Sequence, residues 1–91
     1  MFTGIIEELG HVVAIENDGG NANFKIKANM ASELKIDQSL AHDGCCLTVV
    51  DVEAGQYVVT AIKETLKRTA LGKWEVGTAV NLERCMKNDG R

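Results

Sequence analysis

A turn that opens into a β-strand in the middle of the chain is the feature that most constrains the fold. Asp43-Gly44 is a strong turn signal, and Ser39–His42 before it and Leu47–Val52 after it have the composition of short strands. Cys46 and Thr48 are two residues apart, so their side chains should face the same side of the second strand. A thiol beside a hydroxyl at the start of a strand could line a small polar site.

Further short segments along the chain have the alternation or the β-branched content of strands. They are Ile5–Glu16, Asn23–Lys27, Tyr57–Ile62 and Ala79–Arg84. Gly10 inside the first segment predicts a β-bulge or a sharp bend. About six short strands at this spacing predict an all-β domain, either a small barrel or a sandwich. Closure would protect the strand edges of a chain that contains no proline.

Two short helical segments are expected between the strands. Met30–Leu34 is predicted to form one helical turn with Asn29 as its cap. Thr65–Leu71 is predicted to be a short helix that Gly72 ends.

Size and charge restrict the class of protein. A chain of 91 residues has room for one domain, and 45% hydrophobic residues is too many for a disordered segment. The net charge is -3 and the ten basic residues are scattered, which argues against a nucleic-acid partner. No apolar run approaches the roughly 20 residues that span a bilayer. Three cysteines, an odd number, are expected to be reduced thiols in a cytoplasmic protein.

The local patterns leave alternatives open at the cysteine-containing strand. Cys46 could be a small buried residue and Thr48 an ordinary strand residue, or Cys46 could pair with His42 as a nucleophile. His42 itself is expected at the surface. No metal is expected, because His11, His42 and Cys85 do not have the spacing of zinc ligands.

Two other stretches carry weaker signals. Lys63-Glu64-Thr65 follows an apolar strand, where free backbone N–H groups could meet an anion or a ring carbonyl. Alternatively, Glu64 is an ordinary first-turn charge and Lys63 is solvated. At the start of the chain, Gly4 would let the backbone approach a ligand closely, and the apolar Phe2 is either docked on the domain or a liability.

Taken together, these stretches resemble one family. The order Met1-Phe2-Thr3-Gly4-Ile5-Ile6, Gly44-Cys45-Cys46-Leu47-Thr48-Val49, Lys63-Glu64-Thr65-Leu66 and Val80-Asn81-Leu82-Glu83-Arg84 is similar to the N-terminal half of riboflavin synthase of the alpha-chain type. The resemblance implies a small six-stranded antiparallel Greek-key barrel with one or two short helices. It also implies a dismutation in which one dimethyl-ribityl-lumazine donates a four-carbon unit to another, giving riboflavin and a ribitylamino-pyrimidinedione without an added cofactor.

The resemblance also implies site residues. Gly4, Ile5 and Ile6 would touch the ring, Cys46, Leu47 and Thr48 would form one wall, and the opposite rim would be Thr60, Ala61, Ile62, Lys63, Glu64 and Thr65. Ser39 matches a polar position near the reacting centre, and Phe2 the residue that closes over it. Cys46 and Ser39 are the expected catalytic residues, and no metal is expected.

The family's proteins have two such barrels in tandem and a C-terminal helix that assembles a trimer, with each active site between barrels of neighbouring subunits. The expected domains are therefore a ligand-binding barrel at 1–86 and a polar tail or shortened interdomain linker at 87–91. The expected assembly is a homodimer of this half, or a homotrimer for a full-length protein, and this half alone should turn over weakly or not at all.

One residue departs from the family's pattern, and two other functions remain open. Asp43 stands where the family more often has Asn before Gly44. This substitution keeps the turn but adds charge near the site, so ligand affinity could fall. The chain could instead be a lumazine- or flavin-binding module without turnover, or a structural barrel without a ligand.

Overall fold

The computed structural model describes residues 5–84, which form six β-strands and three short helical segments. The strands are β1 (Glu8–Asp18), β2 (Asn21–Lys27), β3 (Ser39–His42), β4 (Cys45–Glu53), β5 (Gln56–Ala61) and β6 (Ala79–Arg84). The helical segments are a first 3₁₀ helix (Asn29–Glu33), α1 (Lys63–Arg68) and a second 3₁₀ helix (Ala70–Lys73). The predicted tail at 87–91 lies outside the described residues.

The strands close into one antiparallel barrel in the order β1-β2-β5-β4-β3-β6. Three consecutive strands, β3 to β5, follow one another through tight turns. A long connection then returns β6 to lie beside β3, which is the Greek-key arrangement. The all-β, six-stranded barrel with few short helices is thus confirmed. Within residues 5–84 no helix is both long enough and apolar enough to cross a membrane.

Gly10 has a different role from the one predicted. The irregularity in the β1–β2 pairing lies between Val12 and Ala14, and Gly10 pairs in regular register with Val80 of β6. A β-carbon at Gly10 would lie 2.8 Å from Leu82 Cδ1 and 2.9 Å from an Ile26 methyl group. The glycine is therefore required by close packing between neighbouring strands rather than by a bulge.

The predicted cap of the first 3₁₀ helix is also wrong. Asn29 is the first residue of this helix, and no side chain of the preceding residue, Ala28, caps it. The cap is instead Glu8 of β1, which is remote in sequence. Its carboxylate accepts hydrogen bonds from the backbone N–H groups of Asn29 and of Met30, the latter at 3.0 Å. A contact between residues more than twenty positions apart gives no local sequence signal.

The single helix predicted at Thr65–Leu71 is divided in two. Thr69 interrupts it, since the Thr69 hydroxyl donates to the Thr65 carbonyl at 2.7 Å and accepts from Leu71 N–H at 3.2 Å. Gly72 does not end the helix but lies inside the second 3₁₀ helix. A β-carbon there would lie 2.5 Å from the Leu66 carbonyl oxygen, so a glycine is needed where the two helices meet.

Aromatic side chains and one histidine fill the barrel interior. Trp74, from the long connection, packs edge-on against Phe24 with ring centroids 4.8 Å apart. His42 was predicted at the surface, but it is 0% exposed. Its Nδ1 lies 2.9 Å from the Leu40 carbonyl, which can only accept, and its Nε2 lies 2.8 Å from the Tyr57 hydroxyl. The neutral imidazole therefore donates to Leu40 and accepts from Tyr57.

We expect His42 to make the barrel sensitive to acid. Burial lowers the pKa of His42 from 6.5 to about 4. The unfolded chain therefore takes up a proton below about pH 6.5 while the native imidazole does not, so the free energy of unfolding falls as the pH falls from about 6.5 to about 4. The loss should approach about 3 kcal/mol, at about 1.4 kcal/mol for each unit of pKa shift.

Urea unfolding at a series of pH values measures this loss. His42→Phe should be less stable at neutral pH but should have a flatter pH profile than the unaltered chain, whereas His11→Gln, at an exposed position, should keep the original profile. Parallel profiles for His42→Phe and the unaltered chain would show that His42 is not responsible.

Candidate functional site

The predicted catalytic and wall residues meet on the outer surface of β3 and β4. Ser39 pairs directly with Thr48, and Ala41 with Cys46. Cys46 and Thr48 are exposed while Leu47 between them is buried, so the prediction of a shared face is confirmed. The alternative that Cys46 is a buried packing residue is wrong, because the barrel interior takes the residues on either side of it.

A gap in the β-ladder lies next to this face. The pairing between β4 and β5 ends at Val49 and Val59. The residues of β4 before that point pair with β3, and those of β5 after it pair with β2. Beyond Val49 and Val59, Cys46–Thr48 on one side and Thr60–Ile62 on the other face each other. In the described part of the chain they form no ladder pairs with each other. A planar ligand could find backbone donors and acceptors along such an edge.

Along both sides of this gap, successive side chains alternate between the barrel core and the outer surface. Leu47 and Ala61 are 6% and 1% exposed and belong to the barrel core. Only their backbone atoms can meet a ligand on the outside, although the resemblance placed both residues in the site. Thr60 and Ile62 belong to the outer face, where Ile62 is 57% exposed.

A hydrogen-bonded row continues from Thr60 across the next two strands. Thr60 Oγ1 donates to Asn23 Oδ1 at 2.6 Å, and Asn23 Nδ2 donates to Glu16 Oε1 at 3.2 Å. Asn23 and Glu16 were not among the predicted site residues. Alternation along β2 indicates only that Asn23 faces outward, and its partner on β5 is 37 positions away.

The start of α1 has hydrogen-bond and ion-pair partners within the chain. Asn21 Oδ1 accepts from the backbone N–H of Lys63 at 3.0 Å, so one of the expected free donors is already used. Glu64 lies in the first turn and forms an exposed ion pair with Arg68 at 3.3 Å. Lys63 is exposed, and Thr65 is half-buried.

A groove of about 470 Å³ lies on the outer face of β3 and β6, next to Cys46. It is lined by Ile6, Ala41, Asp43, Gly44, Ala70, Asn81, Leu82 and Glu83. The volume lies within the range of small-molecule pockets. Of the three residues expected to touch a ring from the chain start, Ile6 lines the groove, Ile5 is 69% exposed, and Gly4, like Phe2, lies outside the described residues.

An ion pair holds the segment that precedes β1 beside this groove. Glu7 Oε1 accepts from Arg84 Nη2 at 2.7 Å and from Arg84 Nε at 3.0 Å, while Arg84 Nη1 reaches Glu33 at 2.9 Å. These hydrogen bonds from Arg84 hold the pKa of Glu7 below its usual value. Because Ile6 precedes Glu7, this contact keeps it near the groove.

The structure separates the thiol from the histidine. His42 points into the core and both of its ring nitrogens are occupied, whereas Cys46 faces outward, so the pair considered as a nucleophile does not form. Burial raises the pKa of the inward-facing thiol, Cys45. No three His, Cys, Asp or Glu side chains among residues 5–84 are grouped as metal ligands.

The closed barrel and its open-edged outer face define a small β-barrel domain with a candidate binding surface on its outside. The comparison with known families agrees: residues 3–85 match the model of the lumazine binding domain. The chain belongs to the lumazine binding domain family.

Curated relatives and solved structures resemble this chain over most of its length. Riboflavin synthases of Photobacterium phosphoreum and Bacillus subtilis are 44% and 39% identical over 90 and 92 residues, or 94% and 100% of this chain. The structure of LumP complexed with 6,7-dimethyl-8-(1'-D-ribityl) lumazine superposes with a TM-score of 0.87 at 25% identity over 96% of this chain. LumP complexed with riboflavin gives 0.85 at 26% identity over 92%.

The chain spans less than half the length of these proteins. It covers 40% and 43% of the two riboflavin synthases and 49% and 46% of the two LumP chains. The match therefore covers only part of each of these relatives.

The β3–β4 turn beside the groove depends on an aspartate in an unusual conformation. Asp43 and Gly44 have φ angles of 51° and 86°, as a two-residue hairpin loop requires. Asp43 also exchanges hydrogen bonds with Asn81 of β6, donating its N–H to the carbonyl and accepting the Asn81 N–H on Oδ1, both at 2.8 Å. The Asp43 side chain is thus directed toward β6, away from the gap beside β5.

We expect Asp43→Ala to destabilise the barrel by about 1–2 kcal/mol. Alanine in the left-handed region costs about 1 kcal/mol, and the Asn81 N–H would lose its acceptor. Asp43→Asn is the matched control, because Asn tolerates this conformation and its carbonyl oxygen can accept the same hydrogen bond. Chemical denaturation measures both. Equal stability of the two variants would contradict this role for Asp43.

Proposed function

We propose that this chain is the N-terminal, substrate-binding half of a riboflavin synthase. Its outer face would hold one 6,7-dimethyl-8-ribityllumazine or one riboflavin, and LumP has been crystallised with each of these ligands. The observation that carries the proposal is that Cys46 and Thr48 on one side of the gap and Thr60 on the other lie on one outer face, with Ser39 of β3 paired to Thr48. Together with relatives at up to 44% identity, this arrangement favours lumazine chemistry over an unspecified barrel.

The proposed reaction makes limited demands on this half. A methyl group on one lumazine must lose a proton, the second lumazine must be primed by a nucleophile, and the two rings must be held face to face, which is largely positioning. Cys46 and Ser39 are the proposed catalytic residues. Their outward side chains support this assignment, as does the lack of pairing between Cys46–Thr48 and β5 within residues 5–84.

The ring-binding assignment uses both edges of the gap. Thr48 would bond the ring or the ribityl chain with its hydroxyl. Backbone groups of Leu47, Ala61 and Ile62 would meet the edge of the ring, and Ile6 would cover it from the groove. Lys63, Glu64 and Thr65 would form the outer rim. We place the reaction in the cytoplasm, where the free thiols Cys45 and Cys46 would stay reduced.

A second candidate is a lumazine- or flavin-binding module without turnover. The observation that favours it is the high structural similarity to LumP. The chain superposes with a TM-score of 0.85 on LumP complexed with flavin mononucleotide. Both candidates predict ligand binding. They differ in whether incubation with dimethyl-ribityl-lumazine produces riboflavin.

Titration of riboflavin with the purified chain tests ligand binding. Quenching of riboflavin fluorescence at high micromolar protein is expected, and its absence would overturn both candidates. Thr48→Val should weaken binding by about 0.5–1.5 kcal/mol through the loss of one hydrogen bond, without unfolding the barrel. Thr78→Val, at a threonine whose hydroxyl accepts from Glu75 N–H in another loop, is the matched control. Unchanged affinity of Thr48→Val would remove Thr48 from the site.

The thiol is tested by comparing turnover with binding. Cys46→Ser should reduce riboflavin formation more than it reduces ligand affinity, because a hydroxyl is similar in size to a thiol but has a much higher pKa and is a poorer nucleophile. Cys45→Ser, at the neighbouring inward-facing position, controls for the loss of a thiol and should affect stability more than the ratio of turnover to binding. Equal losses of turnover and binding in Cys46→Ser would make Cys46 a contact residue only.

Ligand binding should be coupled to self-association. We propose a homodimer of this half, with the chain start, Cys46–Thr48 and Thr60–Thr65 of both copies at the shared face, and a homotrimer for a longer protein with a second barrel. The exposed apolar side chains of Ile5, Ile6 and Ile62 support this face. Catalysis by the half alone should be weak, since its own residues replace those of the second barrel.

Sedimentation with and without riboflavin measures the coupling, since a ligand held at the interface stabilises the dimer by mass action. Ile62→Lys should weaken the dimer, whereas Val76→Lys, at another exposed apolar residue that lies outside the proposed face, should not. A chain that remains monomeric at saturating riboflavin would contradict the model.

A further inference from the structure

The hydrogen-bonded row on the outer face has a fixed direction. Glu16 offers a carboxylate oxygen, which accepts, so Asn23 must turn its Nδ2 group toward it at 3.2 Å. The amide oxygen of Asn23 is then left facing Thr60 at 2.6 Å. An amide oxygen can only accept, so the Thr60 hydroxyl must give its single proton to Asn23. The reverse orientation of Asn23 would place two acceptors against each other at Glu16.

The consequence lies at the end of the row, beside the gap. With its proton committed to Asn23, the Thr60 oxygen can offer only lone pairs to a ligand on the outer face. A threonine hydroxyl in other surroundings rotates to suit either a donor or an acceptor. The register of β5 places Asn23 directly opposite Thr60 and Glu16 opposite Asn23, so the strand pairing itself maintains the row.

We propose that Asn23 is a positioning residue that makes the Thr60 hydroxyl an obligatory hydrogen-bond acceptor. The site would thereby select ligands whose ring edge carries a hydrogen-bond donor. This inference rests on the proposed function, because it concerns the same outer face. On a lumazine or flavin ring the imide N–H is a donor that cannot become an acceptor, whereas ribityl hydroxyls can adapt to either role. The imide N–H is therefore the group that this arrangement selects.

The selection can be measured as a ratio of affinities. The ligands are riboflavin and riboflavin methylated at its imide nitrogen, which has lost the donor. The unaltered chain should prefer riboflavin, and Asn23→Ala should reduce that preference by about two- to tenfold, the effect of one hydrogen bond. The steric effect of the methyl group is common to both chains and cancels in the comparison. Thr60→Val removes the acceptor itself and should reduce the preference at least as much, and the double variant should reduce it no further than Thr60→Val, because Asn23 acts through Thr60.

A rescue variant separates positioning from a structural role. The rescue variant combines Glu16→Gln with Asn23→Asp. The amide now at position 16 can donate to the carboxylate now at position 23, and that carboxylate can still accept from the Thr60 hydroxyl. This pair should retain the preference for riboflavin. Asn17→Ala, at an exposed residue next to Glu16 on β1, is the control and should also retain it.

A measurement without ligand tests the row itself. The side-chain amide resonances of Asn23 should shift in Thr60→Val and in Glu16→Ala, and should not shift in Asn17→Ala. Unshifted resonances in the first two variants would overturn the inference whatever the chain binds.

The two proposals fail in different ways. Absence of riboflavin binding by the unaltered chain would overturn the proposed function and this inference together. Normal riboflavin binding with an unchanged affinity ratio in Asn23→Ala would overturn this inference alone. Equal weakening of both ligands in Asn23→Ala would make Asn23 a structural residue.

Discussion

Closure of six strands into a narrow barrel imposes the constraint on which the rest of the structure depends. Every strand must turn alternate side chains into one shared interior, and the interior of so small a barrel is filled by side chains. Leu47, Val49, Val59 and Ala61 are committed to that interior. The residues between them, Cys46, Thr48 and Thr60, are left on the outside. The candidate site is therefore on the outer face because the inside has no room for a ligand.

The same division determines the roles of the polar residues that lie close together in sequence. His42 and Cys46 are four positions apart but face opposite sides of the barrel wall. Inside, the imidazole is held neutral between the Leu40 carbonyl and the Tyr57 hydroxyl, so it supports packing rather than proton transfer. Outside, the thiol is exposed beside the gap. Proximity along the chain suggested a pair that the barrel wall keeps apart.

The connections of the Greek key also bring the site together. The tight β3–β4 turn brings Ser39 opposite Thr48, and the long connection after β5 returns β6 to the other side of β3. The groove next to Cys46 is consequently built from β3, from β6, from Ala70 of that connection and from Ile6. Arg84, at the end of β6, then contacts Glu7 before β1 and Glu33 of the first 3₁₀ helix. One short barrel thus presents a surface made from segments far apart in sequence.

Local physical chemistry in the sequence was sufficient for the strands, for the Asp43-Gly44 turn, and for the shared face of Cys46 and Thr48, since alternation and turn preference act over a few residues. The motifs were sufficient for the resemblance to riboflavin synthase. Only the tertiary structure decided the burial of His42, the capping of Asn29 and Met30 by Glu8, the reason for Gly10, and the row from Thr60 through Asn23 to Glu16. Each of these depends on which residues closure of the barrel brings into contact, and their partners lie on other strands or helices, too far along the chain for any local pattern to specify them.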